Sequence, residues 1–365
     1  MCMPERRPLP TSTVSEGADI AYALADRVRA ASAAGQPLRI VGGDTKAFYG
    51  RAVNGEALDV SGHRGVVDYE PSELVITARA GTPITQIEDL LADHGQMLAF
   101  EPPILGAGST LGGVVAAGLA GPRRPFSGAV RDSILGVKVL NGAGEPLRLG
   151  GTVFKNVAGF DGFRLMAGAL GCLGVLLEVS LRVAPNPSAE VSRSFELAWP
   201  TAEARVTHLM RRPVPLSGAA HDGRRLHLRL SGAAAAVAAT AAEIGGDDTP
   251  SGFWSDLRRR RVGPLAQPRL WRLSVPRTAK IADLPGWWLR DWGGAEIWLD
   301  SQAPPARVRA IAADAGGHAT LYRGAEPGED VFTPLPAGLL ALHQRLKAAF
   351  DPAGVFNSGR MYEGL

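Results

Sequence analysis

Residues 101–131 read Glu101-Pro-Pro-Ile-Leu-Gly-Ala-Gly-Ser-Thr-Leu-Gly-Gly113, then Val114-Val-Ala-Ala-Gly-Leu-Ala-Gly-Pro-Arg-Arg-Pro-Phe-Ser-Gly-Ala-Val-Arg131. Glycine lets a ligand approach the main chain closely, and successive N–H groups in such turns form concave nests suited to a pyrophosphate. The spacing Gly106-x-Gly108-x-x-x-Gly112 is not the dinucleotide fingerprint, and no P-loop occurs anywhere, so a Rossmann site and a P-loop site both lose support. A competing reading stays open at this point. The run also fits a tight loop followed by a small-residue packing face, Val114, Val115, Ala116 and Ala117.

Upstream, Ile20, Leu24 and Val28 recur at four-residue spacing and Gly35 supplies a stop, so a helix is expected over 20–34. The apolar run 37–41 reads as a strand that opens into Gly42-Gly-Asp-Thr-Lys46, a second loop suited to phosphate. Short β-rich runs follow at 58–60, 65–69 and 74–80. Thr82-Pro83 then reads as an N-cap with proline at the first helical position, leading a helix to Gly95. Beyond the central run, strands at 134–140 and 146–149 flank Asn141-Gly142, a two-residue hairpin signal. Glycines recur at 168, 171 and 174 before another strand, where the backbone is free to meet a flat or phosphorylated ligand.

A chain of 365 residues suggests about two domains. Pro185-Asn-Pro-Ser188 marks an exit from the first, and from 189 to about 330 β-like runs mix with alanine-rich helices, a second α+β unit. Leu339, Leu342, Leu346 and Phe350 give the last helix an apolar face, before the motif-like tail Asp351-Pro-Ala-Gly-Val-Phe-Asn-Ser-Gly-Arg360. In the second unit Arg258–Arg261 reads as a solvated face or partner contact, and Trp287, Trp288 and Trp292 as core or subunit interface. His221 and His227 lack a third ligand at recognised spacing, so no metal is expected.

Composition narrows the classes. Hydrophobic residues at 45% and charged residues at 21% are those of an ordinary globular protein, and a net charge of +3 is too small to steer nucleic acid. Two cysteines, Cys2 and Cys172, give no disulfide framework and cannot hold an iron–sulfur cluster, so any cluster belongs to a partner and a reducing cytoplasm fits. No apolar run approaches the ~18 residues of a membrane span, so any membrane association would be peripheral.

Taken together, these pieces resemble the FAD-binding subunit of bacterial glycolate oxidase, within the vanillyl-alcohol-oxidase, or PCMH-type, flavoprotein superfamily. The residues carrying the likeness are Val41–Thr45, Ser109–Gly113, Gly118–Pro125, Lys155-Asn-Val-Ala-Gly-Phe-Asp161, Gly171–Val175 and Phe350–Arg360. The resemblance implies an α+β architecture: a two-lobed FAD-binding domain (1–188), an α+β cap domain (189–330) and a C-terminal segment returning to the FAD domain (331–365). It implies that Gly42, Gly43, Asp44, Thr45 and Lys46, with Ser109, Thr110, Leu111, Gly112 and Gly113, wrap the pyrophosphate of FAD. Pro102 and Gly171 join the contacts, Gly128 approaches the flavin side, Gly174 and Val175 line the adenine-to-ribityl region, and Asn357 returns near the isoalloxazine.

Many relatives tether the flavin through a histidine in the first loop. Asp44 or Thr45 stands there, so FAD is expected to be non-covalent. A cap histidine cluster of the kind found in D-2-hydroxy-acid dehydrogenases is also missing, so no catalytic base is assigned. The resemblance therefore implies a subunit that joins a homologous FAD-containing catalytic subunit and an iron–sulfur subunit to oxidise a small 2-hydroxy acid, glycolate, to glyoxylate. Two other readings stay open: a self-sufficient oxidoreductase for another hydroxy acid, alcohol or sugar, and a structural subunit that has lost flavin.

Overall fold

The computed structural model describes residues 17–152, 161–281 and 283–365. The Lys155–Phe160 part of the motif quoted above therefore lies outside the described residues.

The first half builds two small layers, one helix on a parallel strand pair and two helices on a five-stranded sheet. Helix α1 (Ala21–Ala34) buries Leu24, Ala25, Val28 and Ala31 against the parallel pair β1 (Leu38–Val41) and β2 (Glu56–Asp59). Next come β3 (Val66–Glu70), β4 (Val75–Arg79), α2 (Ile84–Asp93) and the two-residue β5 (Gln96–Met97). The central run forms α3 (Leu111–Ala117), followed by the short helices α4 (Arg124–Ser127) and α5 (Val130–Ser133). Strands β6 (Ile134–Leu140), β7 (Pro146–Gly150) and β8 (Val175–Arg182) complete an antiparallel sheet in the order β3-β4-β8-β6-β7. Ile84, Ile87 and Leu91 of α2, with Leu111, Val114 and Val115 of α3, pack on that sheet.

After β9 (Ala184–Pro185), paired with β5, the chain enters a second sheet. Its elements are β10 (Ala189–Glu196), α6 (Trp199–Met210), β11 (Leu216–His221), β12 (Arg225–Gly232), α7 (Ala234–Ile244), β13 (Asp247–Asp248) and α8 (Phe253–Arg258). They continue with β14 (Leu270–Ser274), β15 (Trp287–Asp291), β16 (Glu296–Asp300), α9 (Pro305–Asp314) and β17 (His318–Arg323). The eight strands run antiparallel in the order β13-β10-β12-β11-β15-β16-β14-β17. The sheets meet in a shared core, where Tyr49, Ala117, Leu119 and Leu170 pack with Leu257, Leu265, Trp298 and Tyr322.

Helix α10 (Ala337–Phe350) then returns the chain to its start: Leu38 N donates to Val355 O at 2.7 Å, Asn357 N donates to Leu38 O at 3.0 Å, and Val355 and Phe356 complete the α1 core.

Several local expectations need correction. Thr82 does not cap α2; its hydroxyl accepts from Gly65 N at 2.9 Å and donates to Gly65 O, a cross-link to the neighbouring turn. Asn141-Gly142 does not form a two-residue turn. Asn141 N donates to Glu145 O across a longer loop, and the left-handed position is Gly144 at φ 71°. Arg258 and Arg260 are not a solvated face: Arg260 is 3% exposed and donates to Ala120 O, while Arg258 reaches Pro102 O and Glu88. The apolar face expected on α10 is only partly covered, with Leu339 and Leu342 exposed and Lys347 buried.

Candidate functional site

A continuous cleft runs between the two glycine loops, over α3 and up to the C-terminal tail. Its first stretch, with about 600 Å³ of open space, is lined by Arg39, Gly42–Ala47, Thr110, Gly113 and Arg360. Its second, of about 530 Å³, is lined by Val60, Ala80, Gly112, Met166, Ala169, Gly171, Gly174 and Leu176. Ile40, Gly42, Gly113, Ala116, Leu170 and Asn357 belong to both. The elongation of the cleft suits an extended ligand.

The loops are locked to each other before any ligand is considered. Thr45 Oγ1 and Ser109 Oγ lie 3.1 Å apart, and a Cβ on Gly43 would come within 1.5 Å of Gly108 O. Arg360 Nη2 donates to three carbonyls of the same loop region, Lys46, Ala47 and Tyr49, at 3.2, 2.9 and 2.7 Å. Asn357 spends both ends of its amide on the chain. Its Oδ1 accepts from Ile40 N at 2.8 Å and its Nδ2 donates to Leu170 O at 2.6 Å. Beneath it, Asp351 accepts from Val355 N and Phe356 N, and Lys347 Nζ donates to Asp351, Cys172 O and Phe356 O.

The donor set fits a phosphorylated, extended ligand. Among the described residues, the main-chain N–H groups of Gly43, Asp44, Thr45 and Lys46 have no partner in the chain. Lys46 is half-buried on the cleft with no carboxylate beside it, and burial draws its ammonium pKa down to about 8. A half-buried cation next to unused N–H groups favours an anion in that place. Asp44 does not fill it, since its carboxylate is bound by Arg39 at 3.2 Å.

Both readings of the central run are realised, on different faces of one helix. Leu111, Gly112, Val114, Val115 and Ala117 are buried, and a Cβ on Gly112 would stand 2.8 Å from that of Ala80. Gly113 and Ala116 line the cleft instead; a Cβ on Gly113 would meet only Thr110 Oγ1, at 3.2 Å. The remaining glycines of the cleft are packing positions as well as lining. A Cβ on Gly42 would strike Thr110 Oγ1, on Gly171 the Asn357 amide, and on Gly174 the side chain of Val139.

Of the residues expected at the cofactor, the structure brings Gly42 to Lys46, Thr110, Gly112, Gly113, Gly171, Gly174 and Asn357 to the cleft, with Ser109 directly behind. Four other residues expected at the cofactor lie off the lining of the cleft. Leu111 is buried against the sheet, Val175 sits in the α1 core, and Pro102 is buried with its carbonyl held by Arg258. Gly128 faces Asp132 away from the cleft lining. Sequence reading missed Arg39, Ile40, Ala116, Leu170 and Arg360. Only Arg360 carried a signal, as the end of the tail motif.

No histidine lines this cleft. His221 is buried between Leu197 O and Gly223 N and stacks on Trp288. His227 holds Asp222 at 3.0 Å and stacks on Phe253. No group of three His, Cys, Asp or Glu side chains suited to a metal occurs among the described residues.

Comparison with known proteins agrees with this geometry. A family described as an FAD binding domain matches residues 20–150. Solved alkyldihydroxyacetonephosphate synthase superposes with a TM-score of 0.63 at 14% identity, over 92% of this chain and 75% of that one, which shows a shared fold. The fold and the cleft thus define an FAD-binding protein of the PCMH class.

The match to glycolate oxidase subunit GlcE of Escherichia coli K12 is closer: 47% identity over 348 residues, 95% of this chain and 99% of that protein. The chain belongs to the GlcE family of glycolate oxidase subunits. More distantly, 31% identity over 138 residues links it to D-2-hydroxyglutarate dehydrogenase of Xanthomonas citri, over 37% of this chain and 29% of that one. Glycolate oxidase subunit GlcD of Bacillus subtilis is 29% identical over 126 residues, 34% of this chain and 26% of its own length.

Proposed function

We propose that this chain is the FAD-holding GlcE-type subunit of a complex that oxidises glycolate to glyoxylate. The observation that carries it is the anion-ready cleft, with Lys46 and unused loop N–H groups, in a chain that matches GlcE over 95% of its length. Residues 1–188 and 331–365 form the cofactor domain in this reading, and 189–330 the cap. The loop 42–46 and the Gly113 face of α3 hold the diphosphate, while Gly171, Gly174 and Leu176 flank the rest of the cofactor. FAD supplies a hydride acceptor when bound.

The residues of the chain itself bind and orient, and no histidine lines the cleft to serve as a base. We therefore assign most substrate chemistry to a homologous flavin subunit. Onward electron transfer goes to an iron–sulfur subunit, because the two cysteines here are too few for a cluster. The first loop offers no histidine tether, so the flavin is non-covalent. No described helix is long and apolar enough to cross a membrane, so any inner-membrane association comes through partners.

Purified protein should carry about one FAD per chain, released into the supernatant by acid precipitation. Colour retained in the pellet would refute the non-covalent assignment, and a colourless protein that cannot be reconstituted would refute flavin binding. Co-expression with the neighbouring subunits should yield a complex that turns over glycolate.

A further inference from the structure

Between the two sheets, away from the cleft lining, the cap presents a strained turn. Trp292, Gly293 and Gly294 have φ of 54°, 63° and 105° in succession, and Trp292 is 2% exposed. A buried tryptophan in the left-handed region persists only where its surroundings over-determine it. Here Asp291 Oδ1 accepts from Trp292 N at 2.7 Å, and the indole Nε1 donates to Gly121 O, in the central glycine run, at 2.9 Å. The ring is thus held as a platform against the first half of the chain.

Two guanidinium groups flank that ring. Arg272 lies 5.2 Å from its centroid and is committed, its Nε donating to Glu296 Oε1 at 2.6 Å. Glu296 is itself filled, its other oxygen accepting from Trp298 Nε1. Arg124 lies closer, 4.3 Å over the ring, and among the described residues it has neither a carboxylate nor a hydrogen-bond acceptor on its side chain. Its neighbour Arg123 is bound to Glu101 and Glu190, and the nearby Asp132 carboxylate is taken by Ala129 N and Arg164. Burial, and Arg272 after it, disfavour the charge on Arg124. A guanidinium with no acceptor of its own has N–H groups left for a bidentate carboxylate.

We propose that Arg124, held over the Trp292 ring between the two halves of the molecule, receives the carboxylate of a small 2-hydroxy or 2-oxo acid. The half-buried position between cap and glycine run suits a small acid better than the acidic side chain of another subunit, which would need an outward-facing group. Trp292 is then a positioning residue, and Arg124 a binding residue rather than a base. The inference rests on the reading above only for the identity of the acid.

The test is calorimetric titration of oxalate, and of neutral oxamide as control, into the full-length FAD-loaded chain. Oxalate should bind and oxamide should not. Arg124→Met should weaken oxalate about ten- to hundredfold, the range of a lost charge-assisted pair, with Arg124→Lys between the two. Melting temperature and flavin spectrum of each variant verify the fold. Wild type that does not bind oxalate, or equal affinity in Arg124→Met, overturns the proposal. So does loss of co-purification with other subunits in Arg124→Met at unchanged oxalate affinity, which assigns the guanidinium to a subunit contact. Flavin content measured on the same samples separates the two readings: a colourless wild type overturns the FAD reading, whereas flavin-loaded protein binding oxalate without Arg124 overturns only this one.

Discussion

Lys347 Nζ and Asp351 Oδ2 are 2.7 Å apart, with side chains 9% and 0% exposed, one turn apart at the end of α10. Lys347→Met leaves the carboxylate buried and removes donors from Cys172 O and Phe356 O. Breaking such a pair costs about 3–5 kcal/mol. Thermal unfolding of the variant should begin well below that of the wild type, and flavin retention should fall with it, since Asn357 and the tail lose their support. An unchanged melting temperature would show that the pair is not what fixes the tail.

Gly113→Val should strip the protein of FAD while leaving it folded. A Cβ at this position lies on the cleft and meets only Thr110 Oγ1, at 3.2 Å, so the added bulk falls chiefly where a ligand would lie. Gly112→Val is the contrast, because it drives a branched side chain into Ala80 and should unfold the protein. Circular dichroism and flavin content on both variants check this; normal FAD affinity in Gly113→Val would place the cofactor elsewhere.

Asp291 predicts a pH dependence. Burial, and the Glu296 carboxylate directly across the β15–β16 pair, raise its pKa to about 8 from an ordinary value near 3.8. The folded state therefore holds a proton that the unfolded chain has lost, and stability declines as pH rises from about 4 toward 8. Asp291→Asn removes the titration. Its melting temperature should fall less steeply across pH 5–8 than that of the wild type; parallel curves would mean that Asp291 is already ionised in the folded protein.

The purified chain should oxidise glycolate and D-lactate poorly with a dye acceptor, and activity should appear on adding its partner subunits. His94, His221, His227 and His318 are absent from the cleft lining. Robust turnover by the chain alone, abolished by replacing one of them, would favour a self-sufficient oxidoreductase.

What sequence disclosed follows from the range of the interactions. Apolar spacing and apolar runs located α1, β1 and β6 because those segments contribute side chains to the cores of the first half. Loop 42–46 and Asn357 could be found because motifs preserve main-chain geometry. The partners of the arginines could not: Arg258 and Arg260 look like a surface charge run, yet they cross between the two sheets to carbonyls more than a hundred residues away. Thr82 and Asn141-Gly142 fit local signals that tertiary bonding overrode. In the central run no periodicity distinguished Gly112 from Gly113; only the packing of α3 sets Gly112 tightly against Ala80 and leaves Gly113 open to the cleft.

The tail's return to β1 also sets an order of assembly. Arg360 closes the loop at Lys46, and Asn357 joins Ile40 to Leu170, so the cleft draws on residues separated by nearly the whole chain. While a ribosome is still translating residues 337–365, the glycine loops have already emerged but lack the clamp that shapes them. Flavin loading is therefore expected to follow synthesis of the tail, and a ribosome-bound chain halted before Phe356 should carry no cofactor.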